Sequence, residues 1–290
     1  MSKTLVWKPQ AAFHDYFYID PKDIKSRRTV FREDFINYVS YGGRGSGKTY
    51  TFADAVIIEA SIRPIRVLVT REIQLSIDES IKAELESAIK ARGLEHFFQI
   101  LQTEIRGLNG SKFIFKGLKN NINNLKSIAD VDIVLCEEAE NITKNSWDKL
   151  LPSIRPKSGR PIIIVIFNPD NELDDTYQRF VISPPPKTVS KLINWRDNIY
   201  FPPFLEEQRL HAMKSLPKNE YEWIWEGVPK GSGGDVIIML DWIKSARFAS
   251  RNERWINTDG KTVGYDPAGQ GRDFHATALC DGNRLIEIDE

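Results

Sequence analysis

The stretch Gly42-Gly43-Arg44-Gly45-Ser46-Gly47-Lys48-Thr49 decides the fold. It matches the phosphate-loop pattern Gly-x-x-x-x-Gly-Lys-Thr in full. The short β-prone run Tyr38-Val39-Ser40-Tyr41 leads into it. After it, Phe52, Ala53, Val56, Ile57 and Ala60 recur at helical spacing. A strand, a glycine loop and a helix in that order form a ready anion cradle. The glycines let backbone N–H groups turn inward around phosphate oxygens. The helix beginning near Lys48 aims its positive end at the same anion. Lys48 adds a cation for the β- and γ-phosphates, and the Thr49 hydroxyl is suited to a Mg²⁺ shell. ATP is the expected nucleotide, because no Asn-Lys-x-Asp guanine motif occurs.

Such a loop needs an acidic partner at the end of a neighbouring strand. The apolar run Val131-Asp132-Ile133-Val134-Leu135-Cys136 ends in Glu137-Glu138. Glu137 is the candidate metal-side carboxylate. Glu138 is the candidate that orients, or takes a proton from, the attacking water. Glu140 is a weaker alternative base and reads first as a surface residue. Asn168 follows the strand Ile162-Ile163-Ile164-Val165-Ile166-Phe167 and is placed either to sense the γ-phosphate or to form an Asn-Pro turn with Pro169. Arg71 ends the strand Arg66–Thr70. It reaches phosphate or Glu138, or makes a structural ion pair. Arg44 lies over the phosphates, or faces solvent or a neighbouring subunit.

Further along, Ile77, Ile81, Leu85 and Ile89 at a period of four predict an amphipathic helix, with Gly93 ending it. Asn109-Gly110, between the β-prone runs Phe98–Arg106 and Lys112–Lys116, predicts an antiparallel hairpin. Helices are expected over 144–151 and over 204–226, the latter broken at Pro217. The continuous apolar run 162–166 predicts a strand covered on both faces. Strands interleaved with helices make the fold class α/β with a mostly parallel sheet. The domain division expected is an N-terminal arm at 1–36, anchored by Phe13, Phe17 and Tyr18; a P-loop domain at 37–229; a Gly-Ser linker at 230–236; and a further unit at 237–290. In the last unit a hairpin is expected around Asp281-Gly282-Asn283. So short a unit is expected to be part of a larger domain.

Forty basic residues balance forty acidic ones, so net charge neither favours nor excludes nucleic acid. The two cysteines, Cys136 and Cys280, are expected as buried free thiols rather than a disulfide or a metal site. No apolar run approaches the length of a membrane span, and no secretory leader is visible. A reducing intracellular compartment is the default.

The whole pattern resembles the large subunit of tailed-bacteriophage terminases. Besides the phosphate loop, the resemblance rests on Val69-Thr70-Arg71-Glu72-Ile73-Gln74, Phe115-Lys116-Gly117-Leu118-Lys119-Asn120-Asn121 and Lys126-Ser127. It continues through Glu137-Glu138-Ala139-Glu140, Phe167-Asn168-Pro169, Asp174-Asp175-Thr176-Tyr177-Gln178-Arg179-Phe180 and Trp225-Glu226-Gly227. It implies a RecA-like, additional-strand P-loop ATPase, followed by the start of an RNase H-like nuclease domain. Lys48 and Thr49 would form the Walker A pair, Glu137 the Walker B carboxylate and Glu138 the catalytic base. The segment at Asn168 would be the coupling motif, although relatives often carry Ser or Thr there. Trp7-Lys8-Pro9-Gln10 would be the adenine-recognition segment, with Gln10 reading the base edge. Asp266, in Gly264-Tyr265-Asp266-Pro267, would be the first metal-binding aspartate of a two-metal Mg²⁺ or Mn²⁺ nuclease site. The other acidic residues of that site would fall beyond Glu290, so this chain is expected to hydrolyse ATP and to cut DNA little or not at all.

The resemblance further implies a motor that moves double-stranded viral DNA into a procapsid. Its partners would be the portal protein and a small terminase subunit, and it would work as a homo-oligomeric ring. It would act in the host cytoplasm, transiently at the procapsid portal, with no membrane involved. The residues alone also fit a P-loop helicase or repair ATPase, or an adaptor that binds ATP without turnover.

Overall fold

A computed structural model of the chain describes residues 7–73, 81–121, 130–156, 159–230, 261–266, 276–281 and 284–289. They fall into two units, divided between Lys230 and Gly231.

In the first unit the strands are β1 (Asn37–Tyr41), β2 (Arg66–Arg71), β3 (Phe98–Ile100), β4 (Glu104–Gly107), β5 (Lys112–Gly117), β6 (Ile133–Cys136), β7 (Ile162–Phe167) and β8 (Thr188–Leu192). The helices are α1 (Pro21–Arg27), α2 (Lys48–Ile62), α3 (Ile81–Ala91), α4 (Leu118–Asn121), α5 (Lys144–Leu150), α6 (Asp175–Tyr177), α7 (Pro203–Ser215) and α8 (Lys218–Tyr221). The strands form one eight-stranded sheet in the order β3-β4-β5-β2-β6-β7-β1-β8. From β5 to β8 every pairing is parallel. β3 and β4 add to its edge antiparallel, as the Asn109-Gly110 signal predicts. The run Phe98–Arg106, read as one strand, is two: Leu101 to Thr103 turn the chain between β3 and β4.

The periodicity of β7 shows why the sheet is central. Ile162, Ile164 and Ile166 join the core under α2 and α3, while Ile163, Val165 and Phe167 join the core under α5. Alternate side chains point to opposite faces. A strand covered on both faces therefore reads as an unbroken apolar run. Helix α2 is buried almost all round, from Thr51 to Ala60. Helix α3 ends as Gly93 predicts. Gly93 adopts φ 63°, its N–H donates to Lys90 O, and the Leu94 N–H donates to Ile89 O. That double closure is the Schellman arrangement. Ile77 lies outside the described residues.

Residues 7–36 pack into this same core. Phe13, Tyr16 and Phe17 surround the ring of Phe52 on α2, and the Tyr16 hydroxyl donates to Val39 O on β1 at 2.7 Å. Strand β8 has no counterpart in the sequence reading. It pairs parallel with β1 at the sheet edge and is only half-buried, so its residues Thr-Val-Ser-Lys-Leu carry little apolar signal. Cys136 is a buried free thiol on β6.

The second unit has β9 (Lys261–Asp266), β10 (Ala276–Asp281) and β11 (Arg284–Asp289), antiparallel in the order β11-β10-β9. Strands β10 and β11 flank Gly282-Asn283, where the hairpin was expected; those two residues, and the linker after Lys230, lie outside the described residues. Cys280, expected buried, is only half-buried on β10.

Candidate nucleotide-binding site

Parallel strands end on one edge, and a parallel sheet binds ligands beyond the carboxyl ends of its strands. The glycine loop after β1 and three candidate residues stand there for that reason: Arg71 closing β2, Glu137 after β6 and Asn168 after β7. Strand β7 lies between β1 and β6. The loop strand and the carboxylate strand are thus separated by one additional strand.

The loop is shaped by its glycines. Gly45 and Gly47 sit at φ 74° and 76°, where a side chain would be strained. Gly47 caps the N-terminus of α2. A cavity of about 370 Å³ opens over the loop, bounded by Lys48, Thr49, Glu137, Glu138, Glu140 and Asn168.

Lys48 is buried. Its Nζ donates to Gly42 O at 3.0 Å, Gly43 O at 2.9 Å, Ser46 Oγ at 2.8 Å and Asn168 Oδ1 at 3.0 Å. Burial pulls its pKa down to about 7, against the opposing attraction of Glu140 and Glu137. The Thr49 hydroxyl donates to Glu137 Oε1 at 3.5 Å, a long bond that brings the two expected metal-side oxygens together. Burial also raises the Glu137 carboxyl, opposed by Arg71.

Arg71 settles between the two glutamates. It is buried, and its guanidinium pairs with Glu137 and, at 3.1 Å, with Glu138. Of the alternatives read for it, the geometry shows the contact with the carboxylates. Glu138 has φ 49° and a side chain 47% exposed. Glu140, expected at the surface, turns back toward the cavity on a single 3-10 turn, Ala139–Asn141. Burial raises its pKa to about 7; the charges of Glu138 and Glu137 add to that, and Lys48 opposes it.

Arg44 is exposed at the rim, and its backbone N–H donates to Ile224 O. Gln10 packs beside Gly47 with its side chain engaged at both ends: Nε2 donates to Asn198 Oδ1 at 3.1 Å, and Oε1 accepts from the Ile199 N–H at 3.1 Å. Asp266 ends β9 in the second unit, paired in register with Ala276.

Two residues that sequence reasoning missed hold the loop from outside. Asn194 Oδ1 accepts from the Gly43 N–H at 2.9 Å while Nδ2 donates to Glu226 O at 3.0 Å. Asn198 Nδ2 donates to Gly45 O at 2.7 Å. Both lie some 150 residues from their loop partners, so no local pattern announces them.

The phage terminase large subunit family matches residues 35–228. The terminase large subunit of Bacillus phage SPP1 is 24% identical over 269 residues, covering 88% of this chain and 61% of that protein. The PBSX phage terminase large subunit of Bacillus subtilis is 27% identical over 141 residues, covering 48% of this chain and 32% of that protein. The chain thus spans less than two thirds of the length of either relative. Among solved structures, the large terminase of a thermophilic bacteriophage superposes with a TM-score of 0.58 at 11% identity, over 85% of this chain and 60% of that one. The large terminase of bacteriophage HK97 gives 0.54 at 10% identity, over 84% and 56%. At these identities the structural likenesses show the fold alone. The family match extends over well more than half the chain, and this protein belongs to the phage terminase large subunit family.

Proposed function

We propose that the chain is the ATP-hydrolysing engine of a DNA-packaging motor. One observation carries the reading: Lys48, Thr49, Glu137 and Asn168 converge on a single cavity at the carboxyl edge of the sheet. Solved relatives of the fold include a large terminase of a thermophilic bacteriophage in complex with ATP-gamma-S.

The donor set fits Mg²⁺ brought in with a nucleotide. Mg²⁺ binds through one or two carboxylates with substrate phosphates and water completing its shell. Thr49 and Glu137 offer two such oxygens close together. They would hold the ion, whose contribution when bound is to neutralise charge on the β- and γ-phosphates. The loop N–H groups and the start of α2 bind the phosphate chain. Lys48 supplies a positive charge to the β- and γ-phosphates, exchanging its loop carbonyls for phosphate oxygens. Glu138 orients or deprotonates the attacking water. Arg71 fixes Glu137 and Glu138 relative to each other. Asn168 accepts a hydrogen bond from Lys48, so a change at the phosphates reaches the end of β7. Arg44 serves these phosphates or those of a neighbouring subunit.

In this reading hydrolysis drives double-stranded viral DNA into a procapsid. The motor is a ring on the portal, in the host cytoplasm, fed by a small terminase subunit. DNA is gripped mainly through backbone phosphates, because packaging must tolerate any sequence. Residues 1–36, 37–229, 230–236 and 237–290 serve as arm, motor, linker and the beginning of the nuclease domain. Asp266 contributes one carboxylate to a two-metal nuclease site, which needs several. ATP turnover by the wild type and by Glu138→Ala tests the reading. The wild type should hydrolyse ATP at least a hundredfold faster, on the order of a general base's contribution. Equal rates would refute the catalytic assignment. Addition of procapsids and DNA should then make nuclease-resistant packaged DNA appear in an ATP-dependent manner.

A further inference from the structure

Glu138 has φ 49° and ψ 45°, a left-handed conformation that residues other than glycine seldom adopt. Such a conformation persists only where its surroundings hold it. The Arg71 guanidinium holds the side chain, which is half exposed. The backbone is held separately. The Asn141 N–H donates to Glu138 O and the Ile142 N–H donates to Ala139 O, both at 3.1 Å, which closes the 3-10 turn Ala139–Asn141. Those two bonds move with the turn and cannot fix it in space.

Thr176 fixes it from outside. Its hydroxyl donates to Ala139 O at 2.6 Å and accepts from the Trp147 Nε1–H at 2.7 Å. The indole only donates and the carbonyl only accepts, so the single hydroxyl proton is directed at Ala139 O. Ala139, Trp147 and Thr176 are fully buried, and water does not compete for these bonds.

Both supports of this bond lead back to the site. Trp147 lies on α5, whose first turn donates to the Glu72 carboxylate from Thr143 Oγ1 at 3.3 Å and from Ser146 Oγ at 3.1 Å. Glu72 directly follows Arg71. Thr176 lies on α6, at the end of the segment that begins with Asn168, and Asn168 accepts from Lys48. That segment is closed on itself: the Asn171 N–H donates to Asp174 Oδ2 at 2.9 Å and the Asp174 N–H donates to Asn171 O at 3.2 Å. Residues 168–176 therefore touch the site twice, at Lys48 and at the peptide next to Glu138.

We propose that Thr176 is a positioning residue for Glu138. Its hydroxyl anchors the turn after Glu138 and so sets where the Glu138 carboxylate meets the attacking water. The inference rests on the ATPase reading, in which Glu138 serves that water. Thr176 is not among the residues that line the cavity, so it acts through Glu138 and not on phosphate. A general base works only within hydrogen-bond reach of the proton it takes. A displacement of about 1 Å costs on the order of a hundredfold in rate.

The test measures ATP turnover and the affinity of a fluorescent ATP analogue in the full chain. It compares wild type, Thr176→Val, Thr176→Ser, Glu138→Ala, the double variant Glu138→Ala/Thr176→Val and Lys48→Ala. Valine keeps the branched shape and lacks the hydroxyl. Thr176→Val should lose kcat at least about tenfold and bind the analogue within about threefold of wild type. Thr176→Ser should recover most of the rate. In the Glu138→Ala background, Thr176→Val should change the residual rate by less than about threefold, because residues that act through one another are not additive. A Thr176→Val enzyme as fast as wild type overturns the proposal. So does a serine variant as slow as the valine one, or a loss of analogue binding that accompanies the loss of kcat. An equal fractional loss with and without Glu138 also overturns it, since a merely structural role would act on both backgrounds alike. All four results leave the ATPase reading standing. A wild type no faster than Lys48→Ala overturns that reading and this inference with it.

Discussion

Gly227 and Gly93 form a matched pair of left-handed glycines, at φ 69° and 63°. A Cβ added at Gly93 would meet nothing within 4 Å. A Cβ added at Gly227 would press into the phosphate loop, 2.6 Å from Gly42 C and 2.7 Å from Gly43 N. Those neighbours are backbone atoms and cannot rotate aside. Alanine at either position carries the left-handed penalty, roughly 1–2 kcal/mol. At Gly227 the overlap adds about 1–3 kcal/mol more. Gly93→Ala should therefore lose about 1–2 kcal/mol, and Gly227→Ala about 2–5 kcal/mol, in urea unfolding. The functional contrast should be sharper. Gly42 O and Gly43 O both accept from Lys48, so a displaced loop carries the lysine with it. Gly227→Ala should weaken binding of a non-hydrolysable ATP analogue at least tenfold, about 1.4 kcal/mol, and Gly93→Ala should not change it. If the two variants behave alike in both assays, the Trp225-Glu226-Gly227 turn does not position the loop.

Arg71→Ala leaves Glu137 without its buried partner, so it should lose about 3–5 kcal/mol of stability and most of its ATP turnover; Arg71→Lys cannot reproduce a two-carboxylate fork and should restore little turnover. Thr49→Ala should make analogue affinity nearly the same in Mg²⁺ and in EDTA; a Mg²⁺ dependence equal to that of wild type would remove Thr49 from the metal shell. Glu59 is buried on α2, accepts from the Val30 N–H at 2.8 Å and Thr29 Oγ1 at 3.1 Å, and pairs with Arg63 at 2.7 Å. Glu59→Gln should cost about 1–3 kcal/mol and speed amide exchange at Val30, whereas unchanged protection would detach the N-terminal segment from this anchor.

The parts of the site that depend on local chain geometry were legible in the sequence. Glycines at fixed spacing before a helix give the loop, and an apolar run ending in Glu137-Glu138 gives the opposing carboxylates. Both faces of β7 are buried, so its unbroken Ile-Val run announces a central strand. What depends on distant chain segments was not legible. Strand β8 is half-buried and polar at an edge, and alternation fades where neither face is dry. Asn194 and Asn198 act on the loop's backbone, which has no side-chain signature to match. Glu140 reads as a surface residue when only its place after the strand is known; a single 3-10 turn brings it back over the loop instead. Arg71 stands out as a candidate from its strand-end position, but its choice of both glutamates required the sheet order β2-β6-β7-β1.

In the proposed function the loop at 42–49 and the carboxylate after β6 form one Mg²⁺-nucleotide site. A crystal structure with ATP-gamma-S and Mg²⁺ tests it directly. The β- and γ-phosphate density should lie against Lys48 and the loop N–H groups, with the ion against Thr49 and Glu137. Nucleotide phosphates bound anywhere else, or an ion held away from both Thr49 and Glu137, would contradict it.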